Sequence, residues 1–219
     1  MDPFWITNVK LAVELLHDAY HHHRGLLLTE GDLECQLFGY LSHSEPFLEY
    51  GGTQPDGNGP SSGYIHSQVT WYVDDHEKKP RVLMDLTVMN PNQLYVNTNL
   101  PTVPLNPHKR FYYDSSAIGI ELKFIRDKQS KNIKKSTQDY DKIMQIIASW
   151  NLRAFDDNFN DVAFFSVAFF SVVGCKDSEV YEQVVNHINQ YLIENPNPYP
   201  NNIFICAFHQ DEICWFRNA

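Results

Sequence analysis

Apolar residues recur at two different spacings along this chain, and each change of spacing marks an element. Over residues 7–24, Val9, Ala12, Val13, Leu16, Ala19 and Tyr20 repeat at helical spacing, with Thr7 placed to cap the start. A second helix is expected over 30–42. Thr29 is its N-cap, Asp32 completes a variant capping box, and Leu33, Leu37 and Leu41 form its apolar stripe. The period then drops to two. Ile65, Val69, Trp71 and Val73 alternate with polar residues. After a polar turn at 74–80, Val82, Met84, Leu86 and Val88 share one face of a second strand, with Leu83, Asp85 and Thr87 on the other. A third strand, about 116–126, puts Ile118, Ile120, Leu122 and Phe124 on one face and Gly119, Glu121 and Lys123 on the other.

Helical spacing returns after Ser136 or Thr137, either of which can cap a helix to about 150, with Tyr140, Ile143, Ile147 and Trp150 inward. The run Val162 to Val173 is apolar on both faces, as in a covered parallel strand. Ser178 opens a helix to about 194 that buries Val180, Val184, Ile188, Tyr191 and Leu192 and stops at Asn195-Pro196. Strands follow at Ile203 to Phe208 and Ile213 to Phe216. Two stretches stand apart: 44–63, rich in Gly, Pro and Ser, reads as a loop, and 90–115 as a long connection. The predicted class is α/β, a single domain over 1–219. Its first three strands form an antiparallel meander, and a crossover helix delivers the next strand parallel.

Three features of this pattern carry chemistry. Glu121 and Lys123 sit two residues apart on one face of an apolar strand, where a charge is costly unless paired or bound to a metal. Their plain reading is a cross-strand ion pair. Asp85 is a lone carboxylate in the neighbouring strand, and Glu30 and Glu34 lie one turn apart on the preceding helix. If the second and third strands are neighbours, Asp85 and Glu121 converge. Two carboxylates, with substrate phosphate and water, suit Mg²⁺.

Charge narrows the partners. The net charge of −10 argues against a protein that coats nucleic acid by bulk electrostatics, yet the segment Arg126 to Lys135 carries five basic residues and one acid. Arg126, Lys128, Lys131, Lys134 and Lys135 could form a local phosphate-contacting edge or simply a solvated loop and helix start. Four scattered cysteines without a CxxC, an amino terminus unlike a secretory signal, and no apolar run long enough to span a bilayer lead to the expectation of a reduced, cytoplasmic protein without a membrane partner. His21 to His23, adjacent on a helix, point in different directions and make a poor metal site.

Asp85 on one strand with Glu121-Leu122-Lys123 on the next resembles the PD-(D/E)xK, or restriction-endonuclease-like, nuclease superfamily. Its αβββαβ core, a mixed central sheet flanked by helices, corresponds to residues 29–173, with Thr29 to Glu34 similar to the acid-bearing first helix and Lys134 to Ile147 similar to the helix after the catalytic strand. The resemblance implies that Asp85, Glu121 and the Leu122 carbonyl bind Mg²⁺ (or Mn²⁺), that Lys123 serves the attacking water, and that Glu30 or Glu34 reaches the metal through water. It implies hydrolysis of DNA leaving a 5′-phosphate, with the basic stretch and the loops at 44–63 and 90–115 against the substrate, and a homodimer is compatible with it. A different class, a catalytically inactive nuclease-like protein serving as a binding or assembly module for a protein partner, would keep Glu121 and Lys123 as a structural pair. A two-carboxylate glycosidase would leave Lys123 without a role.

Overall fold

Helix α1 (Pro3–His22) starts a turn earlier than its apolar pattern suggests. Proline suits a first turn, where its missing N–H has no partner to lose. Thr7 therefore lies inside the helix, and its hydroxyl donates to the Pro3 carbonyl (2.9 Å) instead of capping. Helix α2 (Glu30–Ser42) begins as expected. The Thr29 hydroxyl accepts from the Asp32 N–H at 3.0 Å, while Asp32 reaches back to the Leu28 N–H at 3.0 Å. Two small ribbons interrupt the expected loops: β1 (Gly51–Gly52) pairs with β2 (Ser61–Ser62). After β3 (Ile65–Tyr72), β4 (Arg81–Met89) and a 3₁₀ turn at Pro91–Gln93, β5 (Leu94–Val96) pairs with β6 (Phe111–Tyr113). Then come β7 (Ala117–Ile125), the single-turn α3 (Ser130–Ile133), α4 (Lys135–Ala154), β8 (Val167–Cys175), α5 (Ser178–Glu194), β9 (Ile203–Phe208) and β10 (Ile213–Phe216).

The computed structural model describes residues 3–53, 59–72, 81–96, 111–113, 115–154 and 167–216. The expectations for Val73, the turn 74–80, the centre of the 90–115 connection, residues 162–166 and the Trp150 side chain lie outside the described residues. Ser136 and Thr137 do not cap α4. They lie in its first turn and donate to the carbonyls of Ile133 (2.7 Å) and Lys134 (3.3 Å), because α3 and α4 follow each other almost without a break.

Six strands form the central sheet in the order β10-β9-β8-β7-β4-β3. β3, β4 and β7 make the antiparallel meander, β8 and β9 join parallel, and β10 returns antiparallel. One face packs against α1 and α2 through Val13, Leu16, Leu33, Leu37, Ile118, Ile120, Leu122, Phe170 and Val172. The other packs against α4 and α5 through Ile143, Ile147, Phe169, Val173, Val184 and Ile188. β8, covered on both sides, is buried at every position, which explains its unbroken apolar run. Cys206 pairs in register with Trp215 and Cys214 with Ala207, and all four cysteines are free. Among the described residues no helix is long and apolar enough to cross a membrane.

One expectation about β3 and β4 is corrected. Val82, Met84, Leu86 and Val88 do not share a face. Leu86 and Val88 lie in the core under α1 and α2, whereas Val82 and Met84 lie in the core under α4 and α5. The switch occurs where Gln68 faces Asp85. Ladder pairs run Ser67↔Leu86 and Val69↔Met84, and the pair between them is missing. Gln68 there has φ 53°, a left-handed conformation costly for a residue with a Cβ. Such a break reverses the side-chain alternation of both strands. It also releases Asp85 from the ladder.

Gly119 lies two residues before Glu121 on the α4 side of β7. A Cβ there would stand 3.0 Å from the Phe169 ring and 3.2 Å from the Met84 sulfur. Replacing Gly119 with valine should cost ~1–3 kcal/mol of stability by overpacking, read as a lower urea midpoint with an unchanged slope.

Candidate metal-dependent active site

The site lies where the sheet splits. β4 and β7 are paired from Met89↔Ala117 to Leu86↔Ile120, and there their ladder stops. β7 continues to Ile125 alongside β8, and β4 continues to Arg81 alongside β3, so the two strands part beyond Leu86. Asp85 is the first residue past the last pair. Its Oδ2 accepts the Leu122 N–H at 2.7 Å, so a side chain takes the place of the lost backbone partner.

Around this fork the structure brings together Asp85, Glu121, Lys123, Glu30 and Glu34, the five candidate catalytic residues. Glu121 is 1% exposed and points to the α4 side. The Lys123 ammonium is 3.3 Å from Glu30 Oε1 and donates to its neighbour's carbonyl, Leu122 O, at 3.1 Å. Gln68, at the irregular position of β3, donates to Glu34 (3.4 Å) and to Asp85 Oδ1 (3.5 Å). Helix α2 thus reaches the fork through Glu30 in its first turn and Glu34 one turn later.

Three contributors escaped the sequence reading. Asp139 and Lys142 come from α4. Asp139, also 1% exposed, lies 3.6 Å from Lys123 and 2.8 Å from Lys142, and Lys142 lies 3.4 Å from Glu121 Oε2. Asp139 carried a readable signal, since it stands four residues before Ile143 and seven before Ile146, on the apolar stripe itself. A carboxylate at a stripe position requires a partner. Gln68 had no such signal, because its role follows from a backbone irregularity.

The basic stretch is arranged differently. Arg126, Lys128, Lys131, Lys134 and Lys135 are all exposed. Lys128 is held by Glu179 of α5, and Lys134 lines a shallow pocket with His187. Asp127 accepts from the Gln129 N–H and the Asn132 side chain, both at 2.9 Å, and so fixes the turn that displays these cations.

The electrostatics of the fork are unbalanced. Asp85, Glu121, Asp139, Glu30 and Glu34, five carboxyl groups, face two ammoniums, Lys123 and Lys142. Burial pushes the Asp85 carboxyl above its ordinary value, and the hydrogen bond from Leu122 and the Lys123 charge oppose it. Burial, then the Asp139 charge, push Glu121 up to about 8, against the pull of Lys142. For Lys123, burial favours the neutral form, but Asp139, Glu30 and Asp85 outweigh it and raise its pKa, so it remains an ammonium.

Among the described residues no three His, Cys, Asp or Glu side chains form a ready cation cage. The donor set that could hold a hard cation is smaller: the carboxylates of Asp85 and Glu121 with the Leu122 carbonyl, completed by water or phosphate oxygens. One observation fits it. Glu121 Oε1 is buried without a hydrogen-bond partner, and so is Oγ of Ser171, the residue opposite Glu121 on β8. Buried polar atoms without partners are costly, and a cation with its waters would satisfy them.

The raised pKa of Glu121 has a sign that can be tested without metal. Its folded value of about 8 exceeds its ordinary value of 4.5. The folded protein therefore holds this proton more tightly, and the associated stability is full below pH 4.5 and lost as pH rises toward 8. In chelator at pH 8.5, Glu121→Gln should be more stable than the parent by ~2 kcal/mol, with the gap closing toward pH 5, as read from urea unfolding across pH. Compared with known proteins, the chain matches no family model, no curated protein and no solved structure.

Proposed function

We propose that this protein is a metal-dependent nuclease that hydrolyses phosphodiester bonds, with DNA as the substrate, on a restriction-endonuclease-like core. The observation that carries the reading is the convergence of Asp85, Glu121 and Lys123 at the fork between β4 and β7. The order of elements supports it: an acid-bearing helix, three antiparallel strands, a crossover helix and a parallel strand.

In this reading Asp85, Glu121 and the Leu122 carbonyl hold Mg²⁺, or Mn²⁺ in its place. The chemistry the cation supplies when bound is polarisation of a phosphate oxygen and of a water. Asp85 keeps its place through the Leu122 N–H, so one hydrogen bond aligns two of the three donors. Lys123 presents its ammonium beside them, where it orients the attacking water and offsets charge building on the phosphoryl oxygens. Glu30, at 3.3 Å, keeps that ammonium aimed at the fork. Glu34, held by Gln68, stands ready as an outer acceptor for water. Arg126, Lys131, Lys134 and Lys135, exposed after β7, give the substrate backbone a cationic edge that an acidic protein otherwise lacks.

A second reading has its own observation. Lys142 and Lys123 already contact the buried carboxylates, which suits an inactive nuclease-like module whose charges are structural. Divalent-cation calorimetry separates the two, since the module binds no cation and is indifferent to Glu121→Gln.

With Mg²⁺ or Mn²⁺ and a panel of single- and double-stranded DNA and RNA, the nuclease reading expects cleavage ending in 5′-phosphates. Asp85→Ala and Lys123→Ala should each lower the rate by roughly 10²–10⁴ while circular dichroism stays unchanged. A parent protein inert on every substrate with both metals would sink the reading.

A further inference from the structure

Two residues of α4 stand inside the fork without a part in the chemistry above. Lys142 contacts Glu121 at 3.4 Å and Asp139 at 2.8 Å, and Asp139 also contacts Lys123. We propose that Lys142 and Asp139 are positioning residues that keep the site ready for a divalent cation: Lys142 is the resident counter-ion of Glu121, which the cation displaces, and Asp139 is the carboxylate onto which it falls back. The inference rests on the reading of Asp85 and Glu121 as metal ligands.

The geometry separates the two lysines. Lys123 has a side chain 17% exposed, two acceptors, Glu30 and the Leu122 carbonyl, and an ion-pair partner in Asp139 at 3.6 Å. It has nowhere else to go. Lys142 has a side chain 41% exposed and a flexible four-carbon stem, so it can withdraw from Glu121 without any movement of α4. Its closer contact is with Asp139, one helical turn away on its own helix, and its longer contact is with Glu121. The weaker link is therefore the one a cation must break. Whenever Glu121 is ionised and no cation is bound, it needs such a counter-ion, because a buried carboxylate with no opposite charge is strongly destabilising. Its neutralisation is incomplete, since Lys142 reaches Oε2 while Oε1 has no partner. That is the arrangement of a placeholder: enough charge to keep the empty fork folded, too little to close it.

Calorimetric titration of the full chain with Mn²⁺, without nucleic acid, tests this. Lys142→Gln should bind Mn²⁺ about tenfold more tightly than the parent, as expected for removal of one partly screened competing charge. Lys142→Arg keeps the charge and should bind like the parent. Lys10→Gln, on α1, removes a lysine that stacks over Phe204 far from these contacts, and should leave the affinity within about twofold. Should Lys142→Gln be unstable without metal, the rise of its melting temperature with Mn²⁺ concentration yields the same affinity. Unchanged or weaker binding by Lys142→Gln, or an equal gain in Lys10→Gln or Lys142→Arg, overturns the inference. Glu121→Gln and Asp85→Asn make its failure distinguishable from failure of the underlying reading. If both lose Mn²⁺ while Lys142→Gln is unchanged, only the counter-ion role falls; if neither loses it, the ligand assignment falls as well.

Discussion

One hydrogen bond organises the centre of this molecule: Asp85 Oδ2 accepting the Leu122 N–H at 2.7 Å. It stands where β4 and β7 cease to pair, and it makes the separation tolerable. A strand edge entering a buried fork would leave amides without acceptors, and each would cost the price of a lost bond. Asp85 supplies the acceptor from a side chain. It can do so because the Gln68–Asp85 pair drops out of the β3–β4 ladder, at the expense of a left-handed Gln68. Strain at one residue thus frees a carboxylate to meet the backbone between Glu121 and Lys123. The sheet opens at this point and nowhere else along β7, whose pairing with β8 runs unbroken to Ile125↔Cys175.

The second constraint is charge. The fork gathers five carboxyl groups and two ammoniums and places Glu121 and Asp139 almost wholly out of water. Structural ion pairs ordinarily approach neutrality, because an uncompensated buried charge is among the most destabilising features a fold can carry. The surplus here is of acids, and it gathers around the middle of an apolar strand, β7. Under the proposed reading, that repulsion is relieved when a cation arrives, so the same arrangement would weaken the bare protein and favour the loaded one. The tension belongs to a site better than to a scaffold.

Much of the framework was legible in the chain. The periods of α2 and α5 predicted their helices closely, because each buries one well-defined stripe, and the apolar runs of β7 and β9 predicted their strands, which are buried on both faces. Glu121 and Lys123 announced themselves as charges in an apolar strand, and Asp85 as a lone acid in another. What could not be read were local departures from regularity. The reversal of alternation in β3 and β4 depends on the backbone of Gln68, a residue type that gives no warning of a positive φ. Ser136 and Thr137 looked like caps, but α3 runs into α4 and leaves them nothing to cap. Asp139 was legible in principle, since it breaks an apolar stripe, yet its partner Lys123 is distant in sequence, and only the packing of α4 on β7 brings the two together.

On the proposed reading, the fork between β4 and β7 is built to hold a divalent cation on Asp85, Glu121 and the Leu122 carbonyl. Anomalous diffraction from crystals of the protein grown with Mn²⁺ tests it most directly. A single dominant peak is expected in the fork, within coordination distance of both carboxylates and that carbonyl, with the Lys142 ammonium withdrawn toward Asp139. A fork without a peak at millimolar Mn²⁺, with Lys142 still seated on Glu121, would contradict it.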